Sequence, residues 1–167
     1  HQHAIDKESE LTNKGKLTLS DFASGYLYFG LHRTDDGWVF REWAPNATQI
    51  FMVGTFNDWK EEKKYSLKRK ANGNWEIKLP ADAVKHGDLY KLMVHWDGGC
   101  GEWMPAWATR VVQDEQTKIF SAQVWAPEKP YKMKKRVFKP STDPLLIYEC
   151  HIGMSQQEEK GGGYKDF

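Results

Sequence analysis

Trp75-Glu76-Ile77-Lys78-Leu79 alternates apolar and charged side chains at a period of two, and Pro80 ends it. Successive strand residues point to opposite faces, so this stretch sends Trp75, Ile77 and Leu79 to a core and Glu76 and Lys78 to water. The preceding Asn72-Gly73 is a turn dipeptide that suits a tight antiparallel connection. Outward from it the same period recurs. Residues 38–43 alternate up to Pro45, residues 49–53 are closed by Gly54, and residues 89–96 stop at Asp97-Gly98-Gly99. Residues 109–112 and 120–125 complete the set. Short strands at such spacing, over about 100 residues, predict an all-β, immunoglobulin-like sandwich of two sheets. No long amphipathic helix interrupts residues 26–125, which argues against a βαβ fold.

The flanks have a different texture. Residues 1–24 read as a helical lead-in, with Ser9-Glu10-Leu11 and the run from Leu17 to Phe22 near helical spacing and Gly15 between them. The sandwich occupies 25–126, with the period turning to two from Tyr26. Residues 127–144 form a basic, proline-containing linker, with three prolines and six basic residues between Pro127 and Pro140. Leu145 to Gly153 is almost continuously apolar and resembles a strand buried on both faces of a parallel sheet. Such a strand needs neighbours, so 145–167 is expected to open a second domain.

Composition narrows the function classes. The chain has 167 residues, 24 Lys+Arg against 23 Asp+Glu, and a net charge of +1. Folding is expected to bury about 70% of the unfolded chain's surface, enough for one sandwich core. Near neutrality argues against a nucleic-acid or membrane-surface binder, and the run from Lys132 to Arg136 reads as solvated linker. No apolar run approaches the roughly 18 residues of a membrane span. Cys100 and Cys150 form no CxxC pair and read as free thiols in a reducing cytoplasm. Nucleophile-elbow, phosphate-loop and H-E-x-x-H motifs are absent. Gly99-Cys100-Gly101 lacks a base, Glu149 and His151 read as structural, and His1 and His3 stand at a frayed terminus. No catalytic residue, metal or cofactor is expected.

Aromatic residues make up 14% of the chain, with eight tryptophans. Trp38, Phe40 and Trp75 fit the core. Trp43 before Ala44-Pro45, Trp59 after a polar turn, and Trp103 and Trp107 in a Gly/Pro segment do not. Indole faces beside Asn, Asp and Lys can stack on the C–H face of a sugar while the polar groups bind its hydroxyls. Core packing accounts for each tryptophan taken singly; for the group the two readings stand level.

Phe40-Arg41-Glu42-Trp43-Ala44-Pro45-Asn46-Ala47, Phe51-Met52-Val53-Gly54-Thr55-Phe56-Asn57-Asp58-Trp59 and Gly73-Asn74-Trp75-Glu76 resemble the amino-terminal module of 1,4-α-glucan (glycogen/starch) branching enzymes. Phe22-Ala23-Ser24-Gly25-Tyr26, Trp107-Ala108-Thr109-Arg110-Val111-Val112 and Ile147-Tyr148-Glu149-Cys150-His151-Ile152-Gly153-Met154 resemble the same family in the same order. The last is similar to the first strand of its catalytic (β/α)8 barrel. The resemblance implies a cytoplasmic transferase of glycogen biosynthesis that cuts α-1,4 glucan and rejoins it through an α-1,6 bond. Its two carboxylates, about 5 Å apart, stand on later barrel strands. None of these acids can be placed in this chain, so the chain alone is expected to be inactive.

Two glucan contacts follow from resemblance. In branching enzymes Trp43, Pro45, Asn72, Gly73 and Asn74 would meet glucan at the border with the barrel. In regulatory glycogen-binding modules Trp59, Lys91 and Trp103 would stack on and clamp it, although residues 60–64 stand where shorter turns are usual. The implied partners are α-glucan (glycogen, maltooligosaccharide) and the catalytic barrel of the same parent chain. A purely structural domain supporting the barrel is the competing reading; a glycogen-targeting module is disfavoured by residues 145–153. Leu145 to Ile152 would also expose an apolar strand, which favours self-association.

Overall fold

The computed structural model describes residues 1–133, 144, 146–154, 164 and 165. The chain divides into two compact units, His1–Pro130 and Tyr131–Phe167. The first opens with α1 (Gln2–Leu11), α2 (Leu19–Phe22) and α3 (Gly25–Tyr28). Thr18 and Asp21 start α2 with a reciprocal capping box. There follow β1 (Gly30–Thr34), β2 (Gly37–Trp43), β3 (Ala47–Gly54), β4 (Lys68–Arg69), β5 (Asn74–Pro80), β6 (Leu89–Trp96), β7 (Gly99–Trp103), β8 (Val111–Gln113) and β9 (Phe120–Gln123). Among the described residues no helix is long and apolar enough to cross a membrane.

The strands form two antiparallel sheets. One has the order β1-β2-β5-β4; the other runs β3-β6-β9-β8, with β7 also on β6. β2 and β5 pair Phe40 with Ile77 and Trp38 with Leu79, so the inward halves of both alternations coincide. Phe40, Ile50, Met52, Leu92 and Val124 are all 2% exposed or less and fill the space between the sheets. The two-sheet, all-β architecture is the one the alternation predicts.

Three segments depart from the sequence expectation. A turn of helix, α3, stands where alternation was expected from Tyr26; Trp107 packs over it, its ring stacked on Phe29 with centroids 6.0 Å apart. Trp107 is thus a packing residue. Residues 99–103, expected to be Gly-rich loop, form β7, because the Asp97-Gly98 turn folds them back onto β6. In the second unit, residues 146–151 hold no strand, and Leu146 and Ile147 are 99% and 86% exposed. A strand's backbone groups need a neighbouring ladder, and among the described residues of this unit none pairs with them. Leu145, most of the linker and residues 155–163 lie outside the described residues.

On the outer face of the first sheet, Arg41 Nε donates to Glu76 Oε2 at 2.8 Å, and its guanidinium lies 4.4 Å from the Tyr28 ring centroid. This ties α3 to the sheet. The hydrogen bond from Arg41 holds the Glu76 carboxyl below its ordinary value of 4.5. A depressed carboxyl adds stability that is whole above its unfolded value and lost as pH falls through the folded one. Glu76→Gln is therefore expected to destabilise modestly at pH 7 and to flatten the loss of stability below about pH 4.5, read by urea unfolding across pH. In the core, Met52→Ala should cost about 2–5 kcal/mol, whereas Lys78→Ala should stay within about 0.5 kcal/mol.

Candidate functional site

The chain leaves the first sheet at the end of β2 and enters the second at β3, through Ala44-Pro45-Asn46. Side chains and backbone hold this crossing on every side. Trp75 Nε1 donates to the Ala44 carbonyl at 2.9 Å, and Arg69 donates to the Pro45 and Ala47 carbonyls at 2.8 and 3.0 Å. Ala44 N–H donates to the Gly73 carbonyl at 2.9 Å. Gly73 has φ +77°, and a Cβ on it would stand 2.8 Å from Pro45, so only glycine admits the contact. Trp43 Nε1 donates to the Asn72 carbonyl at 2.9 Å, and Trp43 pairs with Asn74 across β2 and β5. Trp43, Pro45, Asn72, Gly73 and Asn74 therefore form one patch, with the Trp43 ring fixed by its own N–H yet 58% exposed.

Trp59 is presented by a different device. Buried Asn57 accepts from Gly54 N–H at 2.8 Å and donates to the Met52 and Lys60 carbonyls at 3.1 and 2.8 Å. This cage holds Asp58 and Trp59 at φ 52° and 59°, left-handed values that cost a non-glycine residue about 1–2 kcal/mol. Residues 60–64 then cover the outer face of the second sheet, where His95 Nε2 hydrogen-bonds Glu61 at 2.9 Å. Lys91 Nζ lies 5.9 Å from the Trp59 ring centroid and 2.7 Å from Glu102 Oε2.

Register separates Trp103 from this pair. Trp103 lies opposite Leu92, which is 2% exposed and points inward, whereas Lys91 shares the outer face with Met93 and its partner Glu102. Trp59 and Lys91 come together as resemblance implies, and Trp103 goes to the other side of the sheet. There it joins Trp43, Pro45, Trp96 and Met104 around a groove of about 630 Å³. Trp96 was missed by sequence reasoning, which placed it in a strand without assigning it a role.

Behind the groove, buried Glu42 accepts from Trp43 N–H and Ala106 N–H, both at 3.0 Å. Burial pushes its carboxyl up, and the two backbone donors partly offset this. The contacts tether the segment after β7 to the end of β2. Among the described residues no cluster of three His, Cys, Asp or Glu side chains could hold a metal. The arrangement suits recognition of a neutral ligand by flat apolar faces.

Residues 28–114 match the family described as carbohydrate-binding module 48 (isoamylase N-terminal domain). The 1,4-alpha-glucan-branching enzyme of Rhizophagus irregularis is 37% identical over 162 residues, covering 93% of this chain and 23% of that protein. The 1,4-alpha-glucan-branching enzyme of Dictyostelium discoideum is 36% identical over 157 residues, covering 90% of this chain and 23% of that protein. Type I pullulanase from Bacillus subtilis strain 168, solved in complex with maltose, shares 19% identity at a TM-score of 0.49, covering 65% of this chain and 14% of its own. The chain spans about a quarter of the length of the curated relatives it matches. Matched over more than half of its residues, it belongs to the carbohydrate-binding module 48 family.

Proposed function

We propose that this chain is the substrate-handling amino-terminal module of a 1,4-α-glucan branching enzyme of glycogen biosynthesis, acting in the cytoplasm. Its ligand is α-glucan, as glycogen or maltooligosaccharide, and its primary contact is the patch of Trp43, Pro45, Asn72, Gly73 and Asn74. The observation that carries this reading is the Trp43 indole, exposed on its face and pinned through its N–H to Asn72. A ring held in place before the ligand arrives loses little side-chain freedom on binding. Asn72, whose backbone carbonyl holds the ring, is itself exposed and would supply an amide to sugar hydroxyls. The bond-breaking carboxylates belong to the catalytic barrel of the parent enzyme, and the module's share is to hold and orient the glucan chain.

Trp59 and Lys91 form a secondary contact in this proposal. It is the weaker one, because Lys91 is engaged by Glu102. A supporting role toward the barrel is favoured by one separate feature: Phe22, Tyr26 and Leu27 are 55–66% exposed on adjacent helical turns. Such a patch fits docking onto a larger body. The apolar residues Leu146, Ile147 and Tyr148, also exposed, would promote self-association.

Glycogen co-sedimentation tests the binding claim. The intact chain is expected to be retained, and Trp43→Ala to weaken retention about tenfold, equivalent to about 1.4 kcal/mol. Trp59→Ala should change it about threefold or less. Absence of retention by the folded intact chain, with strong retention by the full-length parent, would favour the supporting role instead. For self-association, light scattering at rising concentration should show a mass increase that Ile147→Ser removes; a monodisperse monomer throughout would exclude it.

A further inference from the structure

We propose that the β6–β7 hairpin builds a second glucan subsite, a tryptophan shelf of Trp96 and Trp103 on the groove side of the second sheet. The proposal rests on the reading that the module binds α-glucan, and it adds a site distinct from the Trp43–Asn72 patch. The pairing of β6 with β7 sets Trp96 opposite Gly99, Val94 opposite Gly101 and Leu92 opposite Trp103. The groove side of β7 therefore reads Gly, Gly, Trp. The space above Gly99 is taken: a Cβ on it would stand 3.1 Å from the Trp96 ring, whereas one on Gly101 would meet the ring in ordinary contact at 3.4 Å. The Trp96 indole lies across the bare backbone of β7. Trp103 braces it edge-on, with ring centroids 6.4 Å apart and planes at 89°.

Glycine inside a strand weakens it, and tryptophan is ordinarily used to bury area. Here Gly99 makes room on the strand for an indole, and the result is left open: Trp96 is 38% exposed and Trp103 57%. Packing alone does not reward that arrangement. Across the groove stand Trp43 and Pro45, and the volume of about 630 Å³ falls within the range of small-ligand sites.

The walls choose the class of ligand. The charged side chain at the groove is Glu42, and both its oxygens already accept backbone N–H groups. An anionic ligand would find no counter-charge, and a cation would meet only a buried carboxylate whose oxygens are already engaged. A neutral ligand with flat C–H faces and hydroxyls directed to open water fits, which describes successive pyranose rings. Because Trp43 borders both the patch and the groove, a glucan lying on the patch can continue onto the shelf. Two contacts on one chain raise the effective concentration of the second. Longer oligosaccharides should therefore bind more tightly than short ones, and the shelf should supply the difference.

The test follows tryptophan indole N–H signals in the ¹⁵N-labelled chain during titration with maltotriose and with maltoheptaose. Trp96 and Trp103 signals are expected to shift with maltoheptaose. Trp103→Ala and Trp96→Ala are each expected to weaken maltoheptaose about fivefold or more and to abolish its advantage over maltotriose. Trp103→Leu, which keeps an apolar side chain but no flat face, guards against a folding artefact; with an unchanged thermal midpoint it should show the same loss. If Trp43 shifts while the shelf signals stay still and the shelf variants bind like the parent, the glucan reading stands and the shelf is overturned. If no indole shifts with either sugar, both fall.

Discussion

A buried carboxylate at the end of a strand organises this module. Glu42 follows Phe40 on the inward side of β2, where a charge is tolerated only if its oxygens are hydrogen-bonded. The donors it captures are the N–H of Trp43 and the N–H of Ala106. One belongs to the strand end and the other to the segment after β7, so one side chain fixes the distance between the two walls of the groove. Trp75, Arg69 and Gly73 then hold the crossing between the sheets from the other side. The exposed aromatic rings borrow their rigidity from this frame. Remove it and Trp43, Pro45 and Trp103 remain apolar but no longer share a geometry.

The two-residue period of a strand distributes the aromatic groups between two surfaces. On β6, Lys91 and Leu92 are neighbours in sequence and face opposite ways, and their partners on β7 inherit the division. Trp59 with Lys91 therefore lies on the outer face, while Trp103 joins Trp96 and Trp43 in the groove. On the outer face, Glu102 occupies the place beside Lys91 and forms an ion pair with it. That pair directs the ammonium toward Glu102 and limits the positions from which its remaining N–H groups can reach a ligand hydroxyl.

Much of the fold was legible in the chain. Residues 75–79 alternate cleanly because one face lies in the core and the other toward water, and β5 lies where that pattern puts it, with Ile77 opposite Phe40 and Leu79 opposite Trp38 on β2. β7 was not legible by alternation, since Gly99 and Gly101 carry no side chain to register it. The turn could have revealed it: a two-residue Asp97-Gly98 connection sets Trp96 opposite Gly99, and counting outward puts Trp103 opposite Leu92. The Trp43 patch was named through resemblance alone, and its members lie together because β2 ends beside the turn that opens β5. The groove was not legible, because it depends on Glu42 reaching Ala106, 64 residues away. Residues 146–151 are a different case. Their apolar pattern states what the segment would do beside other strands, and no local rule supplies those strands.

Preorganisation ranks the surfaces. A flexible aromatic side chain surrenders about 0.5–1.5 kcal/mol when a ligand immobilises it, comparable to what one stacked ring returns. Trp43 is held by its hydrogen bond to Asn72, and Trp96 by the cleared backbone of β7 against Trp103. In both places the ordering cost was met during folding, by a positive φ at Gly73 and by Gly99 in a strand. Trp59 is ordered too, through the Asn57 cage and two left-handed residues, but its companion Lys91 is bound elsewhere. A weak, repetitive ligand such as a polymer of identical neutral rings offers little energy per contact. It is best held by rigid faces that act on several rings of one chain. The groove side of this module, with Trp43 at its edge and the glycine-backed indole beyond, is built in that way.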